Sequence, residues 1–341
     1  MNTSFELSIC IAAYNRGYEL YEKITNILAY SGDDVQIVVA DNASTDNTVE
    51  LLRQIQDKRV KLITNTQNKG PTFNYIRALR EGDGRYLMFM TDKDTLKPEY
   101  LEALIHYLNQ YEIGTGYCQL NYTGQNKAEV FKAGFEALDE VAYLSKHPTG
   151  YLYKRNLLQE INKMEWYENK QNVDSFPFEF LCAQLACKHK AGIIYLPLLE
   201  TKKLEKNQEK SLTYSERNNN IFFSPENRYS FMLKCLEHME TLEISALQRE
   251  ELTKKVYCRY WLLAVNVYPN YLNDINLCEH YRIQHRRMPF NERLEVAYTF
   301  LKNFSDYREG RARSITWYRV WTMKKIFCMR LKNYVKIIMK K

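Results

Sequence analysis

At 341 residues the chain is long enough for one large or two medium domains, and 45% apolar residues can fill a sizeable core. Twelve Gly and eight Pro exclude collagen-like and low-complexity readings, and no run approaches the roughly 18 consecutive apolar residues of a membrane span. The net charge of +7 belongs to the tail: residues 311–341 carry ten Lys/Arg and no Asp/Glu, leaving 38 basic against 41 acidic residues elsewhere, which disfavours a nucleic-acid partner.

Eight Cys form no CxxC pair, and Cys10 and Cys182 lie within apolar runs, so they read as reduced core thiols in the cytoplasm. Six scattered His give no zinc pattern. Met1 to Glu6 is polar, so no signal peptide is expected.

Leu7 to Ala12 is apolar on both faces, as in a strand of a helix-covered parallel sheet. Gly17 to Tyr30 predicts a helix with Leu20, Ile24, Ile27 and Leu28 on one face. Val35 to Ala40 is a second strand. It ends in the polar run DNASTDNT, where Ser44 or Thr45 can cap a helix from about Asp46 to Gln56. Polar residues at the carboxyl end of a strand, before a helix amino terminus, form the usual ligand edge of an open α/β sheet. Val60 to Thr64 is a third strand, followed by a turn at Asn68 and Gly70 and a helix opened near Pro71. Tyr86 to Met90 is a fourth, leading to Asp92-Lys93-Asp94 and a helix from Glu99 to Tyr111. Two carboxylates one residue apart suit a hard divalent cation that shares a substrate's phosphates. The β-α repeat predicts a doubly wound α/β domain, and the absence of GxGxxG after the first strand disfavours a dehydrogenase-type nucleotide site.

The segments SICIAAYNR, VVADNASTDNT, NKGPTFNYIRAL and GRYLMFMTDKD, in that order and spacing, resemble the nucleotide-sugar-binding half of glycosyltransferase family 2, of GT-A fold, in enzymes that build bacterial surface glycans. The resemblance is strong over the first 110 residues and looser to about 200. It implies a mostly parallel doubly wound sheet followed by a C-terminal helical region. It also implies transfer of a sugar from a nucleotide diphosphate, UDP above all, with inversion and with Mn²⁺ or Mg²⁺. Carried over by position, Ala13, Tyr14 and Arg16 approach the nucleotide, Asp41 bonds the base and Asp46 helps shape the ribose pocket. Asn68, Gly70 and Asn74 shape the wall beside the diphosphate, and Asp92 and Asp94 hold the metal, Asp92 also touching the donor. The family often has more acids here; Thr91 and Lys93 depart from that pattern, and the His that follows the last strand in some relatives is absent.

Gly116 to Tyr122 reads as a strand, residues 124–147 as a loop and helix, and His147 to Leu158 as a turn, strand and helix. In the family that turn faces the acceptor, which makes Thr149 and Gly150 acceptor contacts. The helix before Gly192 and the strand Ile193 to Leu196 resemble the family's general-base helix, with Glu179 at the position of the base and Asp174 the alternative. An inverting transfer needs such a base to deprotonate the attacking hydroxyl.

Lys202 to Asn220 is polar and reads as a linker, and residues 221–309 as helices, one from Ile244 to Tyr268 stopping before Pro269. The tail is a basic amphipathic helix with a stripe of Trp317, Trp321, Cys328, Leu331, Val335 and Ile338, and with Ile326 opposite. Such a helix suits an anionic membrane surface, peripheral on the inner face of the cytoplasmic membrane. The expected organisation is a catalytic domain at 1–205, a helical domain at 206–310 and the tail at 311–341. The expected partners are a nucleotide-sugar donor and a lipid-linked or polymeric glycan acceptor; self-association stays open. The competing reading is a non-catalytic sugar-nucleotide or glycan-binding subunit on the same fold. A nucleotidyltransferase is a third, disfavoured because IAAYNRG lacks a Gly-rich basic loop.

Overall fold

The computed structural model describes residues 5–161, 177–201, 221–311 and 313–338, and side chains as far as Val335. The chain divides into two compact units, Met1–Lys203 with Leu242–Ile244, and Leu204–Thr241 with Ser245–Lys341.

The first unit is built on an eight-stranded sheet of order β3-β2-β1-β4-β8-β6-β9-β7. Its left half is β1 (Leu7–Ala13), β2 (Val35–Asp41), β3 (Val60–Thr64) and β4 (Tyr86–Thr91), all parallel. β1 and β2 are buried along their whole length, which is why they read as continuous apolar runs rather than alternating ones. The right half is β6 (Thr115–Cys118), β7 (Lys127–Phe131), β8 (Tyr151–Lys154) and β9 (Ala191–Tyr195). There β8 and β7 run antiparallel to their neighbours, while β6 and β9 are parallel. A second small sheet pairs β5 (Thr95–Leu96) with β10 (Leu199–Glu200), directly after the two aspartates.

Connecting helices α1 (Gly17–Ile27) and α2 (Thr48–Arg53) pack on each other, and α3 (Pro71–Arg80) packs on β1, β2 and β4. α4 (Leu101–Tyr111) follows a 3₁₀ turn at Pro98–Tyr100. α5 (Phe135–Val141), α6 (Arg155–Gln159) and α7 (Phe178–Lys188) complete the unit. Under the aspartate loop, the Phe89 ring lies 4.2 Å from Phe178 and 5.2 Å from Tyr75, centroid to centroid.

Two local expectations are corrected. The strand expected at Gly116–Tyr122 ends at Cys118, because the chain turns through Asn121 in the left-handed region (φ 52°), where its side chain bonds Thr201 at 2.9 Å. Residues 124–147 include the edge strand β7 as well as a helix; its half-exposed KAEVF sequence carries little apolar signal. The linker expected at 202–220 lies outside the described residues.

The second unit comprises α8 (Pro225–Met239), α9 (Ala246–Leu262), α10 (Tyr268–Leu272), α11 (Ile275–Tyr281), α12 (Phe290–Glu309) and α13 (Thr316–Ile338). The helix expected to stop before Pro269 continues past it. One π-turn at Leu263–Val267 absorbs the lost hydrogen bond, and Pro269 falls in the first turn of α10, where a missing N–H costs nothing. Tyr257, Trp261, Phe300, Phe304 and Tyr318 fill the core of this unit. Eight of eight cysteines are thiols, and burial pushes Cys182 up to about 12.

Because Phe89 is fully buried beneath the aspartate loop, Phe89→Ala is expected to cost about 3–5 kcal/mol by urea denaturation. A loss below 1 kcal/mol would show that the ring cluster does not support β4.

Candidate donor site at the strand ends

Parallel strands end together, so β1, β2 and β4 deliver their following loops to one edge of the sheet. After β1 the chain turns through Asn15 (φ 54°), whose N–H donates to Ser44 Oγ at 2.9 Å and whose side-chain oxygen accepts from Thr45 N–H at 2.8 Å. The Arg16 N–H donates to Thr48 Oγ1 at 2.9 Å. The β1 and β2 loops are thereby laced together by short polar side chains.

Asp41, fully buried at the end of β2, accepts from the Ser44 N–H at 3.0 Å and from the Ser44 hydroxyl. Asp46 accepts from Thr48 N–H at 3.0 Å, so it holds the first turn of α2. Both acids are engaged in shaping their own loop.

An asparagine network closes the other side. Buried Asn74, on α3, donates to the carbonyls of Ala40 at 2.7 Å and Ala13 at 3.3 Å. Its own oxygen accepts from Asn65, which also donates to Asn42. Asn42 in turn donates to Asn68 Oδ1 at 2.9 Å and to the Gly70 carbonyl at 3.1 Å. Gly70 sits at φ 86°, a conformation that glycine adopts freely, and opens α3 at Pro71. Asn42 and Asn65 escaped the sequence reading. Their signal was the density of amides at two strand ends, which only pairing geometry turns into a network.

Asp92 and Asp94 have different partners. Asp92 reaches the surface at 16% side-chain exposure and accepts from Arg16 Nε at 3.1 Å; its carbonyl accepts from Lys23 Nζ. Asp94 is turned inward at 3%. One of its oxygens accepts from the Thr91 hydroxyl at 2.7 Å and from the Thr149 hydroxyl, and lies 3.4 Å from His147 Nδ1. Thr149 N–H donates to that same nitrogen at 3.3 Å, which requires its lone pair. Burial, with a lesser push from Lys93, outweighs the pull of Asp94 and holds the imidazole below its usual range, in keeping with an accepting Nδ1. Lys23 was not anticipated, since it lies in no motif, and His147, which opens the turn before β8, was given no role.

Thr149, assigned to acceptor contact, is fully buried, and its hydroxyl serves Asp94 and the Thr91 N–H. Gly150, at φ 104°, donates to the Phe89 carbonyl at 2.9 Å, and an added Cβ would meet the Cys118 carbonyl at 2.4 Å. In this state both residues fasten β8 to β4. Glu179, in the first turn of α7, is buried and accepts from the Lys146 N–H at 2.9 Å. Tyr117 senses both sides of the site: burial chiefly, with Asp94 and Glu179 among the charges, raises its hydroxyl. Asp174 lies outside the described residues. Ala13 is buried at the end of β1, and Tyr14 follows it half-buried.

Among the described residues no group of three or more His, Cys, Asp or Glu side chains is set to hold a metal ion. The donor set therefore fits a cation only where ligand oxygens complete its shell, with Asp92 the accessible carboxylate.

Residues 8–169 match the family model described as Glycosyl transferase family 2. That match spans just under half of the chain, and over it the chain is similar to glycosyltransferase family 2. The chain is 29% identical over 111 residues to UDP-Glc:alpha-D-GlcNAc-diphosphoundecaprenol beta-1,3-glucosyltransferase WfaP of Escherichia coli, covering 33% of this chain and 44% of that protein. It is 28% identical over 181 residues to GalNAc(5)-diNAcBac-PP-undecaprenol beta-1,3-glucosyltransferase of Campylobacter jejuni, covering 49% and 58%. The matched segments thus span about half the length of these relatives or less. Among solved structures, S. aureus TarS 1-349 in complex with UDP-GlcNAc superposes with a TM-score of 0.58 at 14% identity, covering 87% of this chain and 81% of that one. The mannosyltransferase PcManGT from Pyrobaculum calidifontis, in complex with GDP-Man and Mn²⁺, gives 0.53 at 14%, covering 98% and 88%. These likenesses establish the GT-A fold.

Thr149→Val keeps the shape of the side chain but removes the hydroxyl on Asp94. It is expected to destabilise the protein by about 1–3 kcal/mol at neutral pH, measured by thermal or urea unfolding. An unchanged midpoint would mean that this bond contributes nothing.

Proposed function

We infer that the chain transfers a sugar, with inversion, from a nucleotide diphosphate donor, UDP-linked above all, to a hydroxyl of a lipid-linked or polymeric surface glycan. The observation that carries this reading is the meeting of Arg16, the Asp41 loop and Asp92 at the ends of three parallel strands, within the segment that matches the family 2 model. The printed activities of the E. coli and C. jejuni relatives and the UDP-GlcNAc complex of TarS support the donor and acceptor classes.

The β1 and β2 loops would bind the nucleotide, with Asp41 accepting from the base. Leaving-group departure puts negative charge on the diphosphate. Arg16, already beside Asp92, is a cation of the site able to meet that charge. Mn²⁺ or Mg²⁺ held at Asp92 and supported by Asp94 would add Lewis-acid stabilisation of the same oxygens. Glu179 is the group assigned to accept the proton as the acceptor oxygen bonds to the anomeric carbon and the bond to the diphosphate breaks. Thr149 and Gly150 shape the acceptor side through the β8 turn.

Three results follow for purified protein. Asp92→Asn should weaken Mn²⁺-dependent UDP binding about tenfold or more by calorimetry, and Asp94→Asn should abolish transfer. Normal metal-dependent turnover in both variants would sink the assignment. Glu179→Gln should retain UDP affinity while losing roughly 10²–10⁴-fold in turnover. A non-catalytic binding subunit predicts instead that no UDP is released from any nucleotide sugar with Mn²⁺.

A further inference from the structure

Helix α13 has two apolar faces, and only one is used. Its inner face is docked within the second unit: Ile315, Tyr318, Thr322 and Ile326 are buried, Tyr318 lies 4.9 Å from Phe304 and 5.0 Å from Tyr257 between ring centroids, and the Thr322 hydroxyl meets that of Tyr257 at 2.7 Å. The sequence-derived stripe set Ile326 on the opposite side from Trp317, Leu331 and Val335, and the helix is docked through that opposite side. The docked side is the Ile326 side, and Trp317, Leu331 and Val335 are exposed.

A helix packed on its own domain needs one apolar face. The opposite face carries Val320, Met323, Phe327, Leu331 and Tyr334, exposed by between 47% and 66%. Their spacing of three or four residues puts them on one stripe, widened by Trp317 and Val335. Seven of the twelve large apolar side chains exposed among the described residues lie on this helix. Single exposed apolar residues need no explanation, but a contiguous stripe does.

What borders the stripe identifies its occupant. At about 100° per residue, Lys324 lies between Leu331 and Val335 along one edge, and Arg330 and Arg319, the latter paired with Glu309, flank the other. Residues 310–341 hold no acid. Two copies joined through this face by a two-fold axis would set cation against cation. The described helix is 23 residues, about 34 Å long, yet no helix among the described residues is long and apolar enough to cross a membrane. An apolar stripe edged by cations, with Trp and Tyr along it, matches the interface of an anionic bilayer.

We propose that the outer face of α13 lies flat in the surface of an anionic lipid bilayer, with Phe327 and Leu331 in the acyl boundary and Lys324, Arg319 and Arg330 at the headgroups. This contact is independent of donor binding, so its failure and that of the transfer reading are separable.

The test is flotation of the full chain with vesicles of phosphatidylcholine alone and of phosphatidylcholine with phosphatidylglycerol. Wild type should float with the anionic vesicles, less so at high salt, and stay behind with the neutral ones. Phe327→Glu with Leu331→Glu should lower partitioning about tenfold or more, and Lys324→Ala with Arg330→Ala should lower it to a similar degree on anionic vesicles only. Circular dichroism and Tm check that each variant is folded; should the glutamate pair unfold, Phe327→Ser takes its place. UDP binding should be the same in all variants. Absence of vesicle binding, equal binding to both vesicle types, or full binding by the glutamate pair overturns the proposal. So does a wild-type dimer in light scattering that the glutamate pair converts to monomer, since a second copy would then cover the stripe.

Discussion

The site depends on one buried side chain, that of Asn74. Where β1 and β2 run out, backbone donors still serve their last carbonyls: Asn42 N–H bonds Ala13 at 2.9 Å and Asn65 N–H bonds Asp41 at 2.9 Å. Asn74 adds a side-chain tie from α3, donating to the Ala13 and Ala40 carbonyls and so joining the two strand ends. That fixes the point at which the two loops diverge. The Asn15–Ser44, Asn15–Thr45 and Arg16–Thr48 bonds then hold those loops at one spacing. Pre-set loops lose little further freedom when a ligand arrives.

The aspartate loop follows a different logic. Asp94 is buried under two threonine hydroxyls and beside His147, so it anchors β4 to the β8 turn. Asp92 carries the exposed charge and is balanced by Arg16. This division of labour gives Lys93 a place: with one acid fastened and the other paired to Arg16, the loop tolerates a lysine where relatives of the family often have another acid.

The left half of the sheet was legible in the sequence because its strands are buried on both faces and its loops carry dense polar signals. Val35–Ala40 and Val60–Thr64 fall within a residue of the observed β2 and β3. The right half was harder. β7 is an edge strand with half-exposed residues, and β5 and β10 are two residues each, below any periodic signal. Pro269 misled for a physical reason: proline forbids an ordinary helix interior, but a π-turn before it makes room. The individual site residues were visible by type, whereas their partners were not. Nothing in the order of residues says that Thr149 bonds Asp94 across 55 positions, or that Arg16 pairs with Asp92 across 76. On α13 the wheel showed one apolar stripe, whereas the helix has two apolar faces, and the one through Ile326 packs into the second unit's core.

The central claim is that the loops after β1, β2 and β4 form one nucleotide site. Amide hydrogen exchange of the intact chain, with and without UDP, tests it directly. UDP should slow exchange together at residues 14–17, 42–48 and 92–95, and leave the helices of the second unit unchanged. Protection confined to any other part of the chain, or its absence from all three loops at saturating UDP, would contradict the account.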